Sequence, residues 1–254
     1  MKIELDIKKN IEQNAEVYFN QAKKLKKKLE GAIKALEESK KKLKKLGKEK
    51  TEETIKKVKT LKKEWYEKFR WFISSDNFLV LLGRDATTNE ILIKKYTDKN
   101  DLVLHTDMAG SPFAVIKSDN KTILKNTIRE AADATVTFSR AWKLGLATTD
   151  VFYVKPEQVS KKTKAGEYMG KGAFMIYGKT NYIENKINLA VGVKDGKIMA
   201  GPLEAIRKNC EKYVEVKQGR EKTSKVAKQI QYKLGGDLDE IIRALPAGGC
   251  EINK

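Results

Sequence analysis

Arg84, Asp85, Asn89 and Glu90 lie within seven residues of chain, His105 and Asp107 follow, and Ser160, Lys161, Glu167 and Tyr168 form a later polar group. These side chains offer hydrogen bonds and charge of both signs, which is the chemistry of recognition. His105 is the only histidine, so His-rich metal sites are ruled out and a nucleophile–base pair has little to draw on. No Gly-x-x-x-x-Gly-Lys-Ser/Thr loop occurs, and Gly170-Lys171-Gly172 has neither the spacing nor the placement of a dinucleotide fingerprint. The sequence therefore predicts no enzyme, no cofactor and no metal. Plainer readings stand beside the binding one: Arg84 and Asp85 as a turn held by a local ion pair, and His105 as a hydrogen-bonded strand residue.

Charge says what such residues would meet. Lys and Arg number 53 against 34 acids, a formal net charge of +19, and a field of that sign attracts polyanions. Residues 1–64 alone hold 21 lysines and 11 acids, and Lys26 and Lys27, within the run Lys23 to Lys28, are candidate RNA contacts. The run from Lys40 to Lys45 is a second candidate. Lysine-rich outer positions can also serve only to keep a coiled coil soluble. No stretch of about 18 apolar residues exists, and the first residues lack the apolar run of a signal peptide, so a cytoplasmic protein with no membrane contact is expected. Cys210 and Cys250 lie outside any Cys-x-x-Cys spacing and are expected as buried thiols.

The elements that must position these residues follow from periodicity. Ile11, Ala15, Tyr18, Ala22, Leu25, Leu29, Ala32 and Leu36 step by four and three, a heptad seam continuing to Leu46. Gly47 is expected to break it before a second arm carrying Ile55, Val58, Leu61, Trp65 and Phe69. The outcome is an antiparallel helical hairpin. Phe78–Gly83, Ile91–Tyr96, Asp101–Thr106 and Phe113–Lys117 read as strands. A long helix is expected from Thr122 to Leu144, ended by Gly145, with strands at Val151–Lys155 and Phe174–Lys179 after it. Ile187–Val193 and Lys197–Ala200 bracket Asp195-Gly196, a hairpin signal, and helix, strand and two helices complete the chain. The expected class is α+β. A basic coiled-coil hairpin occupies 1–64, a mixed β-sheet domain with a long packed helix 65–183, and a small α+β extension 184–254.

Several of these segments carry a family likeness. Trp65 to Ser75, then Gly83-Arg84-Asp85-Ala86 with Asn89-Glu90, and later His105-Thr106-Asp107-Met108-Ala109-Gly110, resemble the RNA-binding domain of the NFACT family. Val159-Ser160-Lys161 with Gly166-Glu167-Tyr168, and Phe174 to Lys179 with Asn181, resemble its closing motifs, which adds Lys179 and Asn181 to the candidates. Leu5-Asp6 with Asn14, Ala15, Tyr18 and Phe19 is similar to the start of that family's coiled-coil segment. The resemblance implies ribosome quality control. Its partners would be the large ribosomal subunit with its rRNA, peptidyl-tRNA or tRNA, and other quality-control proteins reached through the coiled coil. The family's N-terminal and helix-hairpin-helix domains have no counterpart in these residues, so the chain is expected to be the C-terminal part of a longer protein or a natural short relative. Two other classes compete: a coiled-coil module that docks proteins, and a DNA-binding protein.

Overall fold

The computed structural model describes residues 4–7, 10–49, 64–161 and 169–253, with the backbone only for 41–49. The chain divides into two compact units, Met1–Thr60 and Leu61–Lys254. In the first, helix α1 spans Ile11–Glu49. Asn10 and Gln13 cap its start reciprocally, each side-chain oxygen accepting from the other's backbone N–H at 2.7 and 3.1 Å. Asn14 then ties the preceding segment down, accepting from the Asp6 N–H at 2.9 Å and donating to the Asp6 carbonyl at 3.0 Å. Gly47 does not end the helix, which runs two residues further. Helix continuity at a glycine costs only about 1 kcal/mol. On the seam, Leu25, Leu29 and Leu36 are 65, 62 and 56% exposed. The expected second arm, with Ile55, Val58 and Leu61, lies outside the described residues.

The second unit is built on two antiparallel sheets. A 3-10 turn at Trp65–Lys68 leads into β1 (Arg70–Ile73), where the sequence had suggested the end of a helical arm. Then come β2 (Leu79–Leu82), α2 (Ala86–Lys95), β3 (Leu102–Thr106), β4 (Ala114–Ile116), α3 (Lys125–Thr137), α4 (Arg140–Leu144) and β5 (Val151–Val154). Short strands β6 (Val159–Ser160) and β7 (Met175–Ile176) pair with each other, and β8 (Asn181–Ile183) follows. The first sheet has the order β1-β2-β4-β3-β5-β8. It is antiparallel throughout, not mixed. β2 and β3 do point the same way, but β4 sits between them and opposes both.

The second sheet comprises β9 (Leu189–Lys194), β10 (Lys197–Gly201), β11 (Tyr213–Glu221) and β12 (Cys250–Ile252), in the order β10-β9-β11-β12. Asp195 and Gly196 form the expected tight turn, with φ of 50° and 78°. Helices α5 (Leu203–Asn209), α6 (Thr223–Leu234) and α7 (Leu238–Ala244) pack against it.

Two further expectations fail for identifiable reasons. Ile91–Tyr96 is not a strand, because Asp85 caps a helix by accepting from the Thr88 N–H at 2.8 Å, and α2 continues through Lys95. The expected long helix divides at Phe138–Ser139, where Ser139 becomes the cap of α4 by accepting from Ala141 N–H. Gly145 ends α4 as expected. Cys210 and Cys250 are buried and unpaired, and burial pushes the Cys210 thiol up to about 11.

Candidate functional site

The polar run after β2 is shaped by close packing. Gly83 has no room for a side chain, since a Cβ there would fall 1.8 Å from Asn89 Oδ1. That oxygen accepts from the Phe113 N–H at 3.1 Å, which fastens α2 to the strand opposite. Asp85 serves as the helix cap, and the donated bond from the Thr88 backbone holds its carboxyl below the usual range. Arg84 turns back: its Nη2 donates to the Glu67 and Phe69 carbonyls at 3.2 and 2.9 Å, joining β2 to the turn before β1. Burial lowers its pKa, as does the nearby charge of Arg243. The local Arg84–Asp85 ion pair is not formed; each side chain has a different structural partner.

Glu90 sits one helical turn from Ala86 and works as a clamp. It accepts from Lys94 Nζ at 2.7 Å and the Gly172 N–H at 3.0 Å, and it pairs with Lys161 at 3.2 Å. Those donors, led by Lys94, hold its carboxyl down to about 2. Lys161 also lies 4.8 Å from the centroid of the Phe174 ring. Gly172 has a φ of 77° and approaches Ala86 so closely that a Cβ would meet its Cα at 2.6 Å. The segment carrying Lys171 and Phe174 is thereby pinned onto the start of α2.

Between these walls lies a cavity of about 440 Å³ whose lining includes Arg70, Arg84, Asp85, Asn89, His105, Phe113, Lys171 and Phe174. Four sequence-predicted residues thus share one site. His105 stacks on Phe113 at 4.2 Å, and burial lowers its pKa, so the neutral imidazole is favoured. Asp107 belongs elsewhere, accepting from the Tyr182 hydroxyl at 3.0 Å. Asn181 lies on the edge strand β8, its Nδ2 donating to the Tyr153 carbonyl. Lys179 contributes its carbonyl to Gln158, and Ser160 lies on β6. Lys26 and Lys27 are exposed on α1 in the other unit, and Glu167 and Tyr168 lie outside the described residues.

Arg70 falls within the run Trp65 to Ser75 that carries the family likeness, but it is not among the site residues expected from the sequence. It lies on β1 with its guanidinium 4.9 Å from the Phe138 ring centroid, and burial together with Arg84 lowers its pKa to about 10. Nothing in an Arg-Trp-Phe-Ile strand marks such a position, because its neighbours come from across the sheet. Among the described residues no cluster of His, Cys, Asp and Glu could hold a metal, and no helix is long and apolar enough to cross a membrane.

Comparison with known proteins bears on the same residues. Residues 68–178 match the model of the NFACT protein RNA binding domain. The archaeal Rqc2 homolog aRqcH of Methanocaldococcus jannaschii is 46% identical over 206 residues, covering 77% of this chain and 31% of that protein. The ribosome quality control complex subunit NEMF of Homo sapiens is 38% identical over 176 residues, 67% of this chain and 16% of its own length. The chain thus spans a third or less of these relatives. The C-terminal part of the fibronectin/fibrinogen-binding protein from Streptococcus suis overlaps 70% of this chain and 77% of that one, at 20% identity and a TM-score of 0.39.

Proposed function

We propose, from the premise that this chain belongs to the NFACT family and carries its RNA-binding domain at residues 68–178, that it binds RNA on the ribosome in quality control of translation. The observation that carries this reading is the coincidence of two boundaries. The matched segment encloses every residue that lines the cavity around Arg84, His105 and Lys171. The net charge of +19 supplies the long-range attraction. The proposed partners are the large ribosomal subunit with its rRNA and a peptidyl-tRNA or tRNA, met in the cytoplasm.

The role is one of binding and not catalysis, since the only imidazole is packed against Phe113 and most of the polar residues around it are engaged in holding the fold. The family names of the relatives support the setting; the domain match supports the ligand class.

A second reading has its own observation. The exposed apolar stripe of α1, through Leu25, Leu29, Ile33 and Leu36, calls for a cover. We carry the coiled-coil hairpin forward as its proposed form, docking other quality-control proteins along the seam.

A salt titration separates the readings. Each phosphate neutralised releases counterions, so affinity for ribosomal particles or structured RNA should fall linearly in log–log form, by about 0.7 to 0.9 per contact. An affinity that does not change with salt would overturn the RNA reading. Equal or tighter binding to duplex DNA at matched salt would favour the DNA-binding alternative.

A further inference from the structure

A second cavity, of about 610 Å³, shares Arg70 and Arg84 with the first and continues between residues 64–71, β10 and α7. Its lining includes five cationic side chains, Lys68, Arg70, Arg84, Lys197 and Arg243, and Asp85 and Glu240 act on Arg84 without forming an ion pair with it. Glu64 and Glu67 are taken up by Lys197, at 3.8 and 2.6 Å. Lys68 is held over the Tyr96 ring, 3.7 Å from its centroid. That leaves Arg70, Arg84 and Arg243 facing Glu240. Among the described residues, none of the three arginines has a carboxylate within ion-pair distance. Arg70 donates only to the Gly83 and Leu245 carbonyls, and Arg84 to those of Glu67 and Phe69. Like charges gathered in a half-buried site are costly unless an anion joins them, and the guanidinium fork suits phosphate oxygens.

Beside this cluster stands an aromatic face. Trp65 lines the cavity, stacks on Tyr96 at 5.0 Å with an interplanar angle of 8°, and is 45% exposed. Its position is fixed from behind by Tyr96 and at its edge by Tyr66, at 5.7 Å. A rigid, partly open indole next to guanidinium groups that have no carboxylate within ion-pair distance is the pairing that single-stranded nucleic acid uses: charge for the backbone and a π-face for the base. An acidic peptide would use the arginines but has no need of the indole.

We propose that this cavity holds one nucleotide of a single-stranded RNA, its phosphate on Arg84 and Arg243 and its base against Trp65. The proposal rests on the RNA-binding reading and goes beyond it, naming an unpaired strand as the ligand and making α7, outside the matched domain, part of the site.

Fluorescence tests it, because Trp71 and Trp142 are buried and Trp65 is the exposed tryptophan. The full chain is titrated with a single-stranded oligoribonucleotide of about six nucleotides and with an RNA duplex of the same length. The single strand should quench the emission and the duplex should not. Arg243→Ala and Trp65→Ala should each weaken binding about tenfold. Trp65→Phe, which keeps a ring on Tyr96, should retain most of the affinity and lose the quenching. Arg243 and Trp65 are exposed, so melting temperatures should hold, and Trp65→Phe keeps the test valid if Trp65→Ala unfolds. Single-strand binding at unmodified affinity in both alanine variants, or binding to the unmodified chain without quenching, overturns the subsite and leaves RNA binding intact. Failure of the unmodified chain to bind any RNA removes both. Equal quenching by a poly-glutamate peptide assigns the cavity to protein carboxylates and overturns the proposal.

Discussion

At the residue scale, the polar positions nearest the cavity divide by what their side chains already hold. Arg84 spans two carbonyls of a neighbouring segment, so its removal is a structural event as well as a functional one. Hydrogen bonds from a charged donor are worth about 1.5 to 3 kcal/mol, and Arg84→Ala should lower the melting temperature measurably. A variant with unchanged stability would mean that the guanidinium is free for ligand alone. His105 offers a pH readout because it is the sole histidine. Burial lowers its pKa from the ordinary 6.5, so the unfolded chain takes up a proton first as pH falls. Its contribution to stability is then complete above about 6.5 and is lost as pH drops toward the lowered folded value. The single imidazole ring-proton resonance should titrate with a midpoint below 6.5, and His105→Phe should flatten the stability slope in that window. A midpoint at or above 6.5 would mean that the ring is not desolvated.

At the scale of elements, alternation and turn chemistry made much legible. β3, β4, β5, the β9–β10 hairpin and helices α5 to α7 fall where the sequence placed them, because each is a short apolar run or a helical repeat bounded by turn residues. Ile91–Tyr96 misled because a β-branched apolar run looks alike in either state, and the Asp85 cap that decides for helix lies upstream of it. The site was half legible for a related reason. Residues clustered along the chain, such as Arg84, Asp85 and Asn89, could be gathered by eye, whereas Arg70, Trp65 and Arg243 come together only through strand pairing and helix packing.

Helix α1 carries the seam of the proposed hairpin. A packed Leu→Ala change costs about 2 to 5 kcal/mol, and the hairpin requires Leu29 to be packed, so Leu29→Ala should lower the melting temperature of the chain. A change within about 0.5 kcal/mol, usual for a surface substitution, would mean that Leu29 stays as exposed as it is on α1 and would overturn the hairpin. Replacing Lys26 and Lys27 together with Gln should keep helicity and weaken RNA binding with a shallower salt slope. Unchanged affinity and slope would assign those charges to solubility.

At the scale of the molecule, the question is whether residues 184–254 ride on the first sheet or complete it. Gly201 on β10 packs on Phe72 of β1 so tightly that a Cβ would fall 2.8 Å from the ring. Trp142 donates its indole N–H to the Gly249 carbonyl at 2.9 Å, and Asn209 donates to the Ile73 carbonyl at 3.0 Å. Gln218 bonds the Trp142 and Leu146 carbonyls at the end of α4. These ties run in both directions across the sheets, and the buried residues on the two sides form one hydrophobic cluster. A chain ended after Ile183 would uncover Phe72 and Trp142, both buried in the whole chain, and fully burying a large apolar side chain is worth about 1.5 to 3 kcal/mol. The truncated chain should melt well below the full one or fail to fold. In the full chain, Phe72→Ala should cost about 3 to 5 kcal/mol and lower the stability of both sheets together, in a single transition by hydrogen exchange. Separate transitions, with β9 to β12 unaffected by Phe72→Ala, would make the extension an independent appendage. The arginine cavity would then have two walls free to part, because α7 supplies Arg243 while β1 and the segment after β2 supply Arg70 and Arg84.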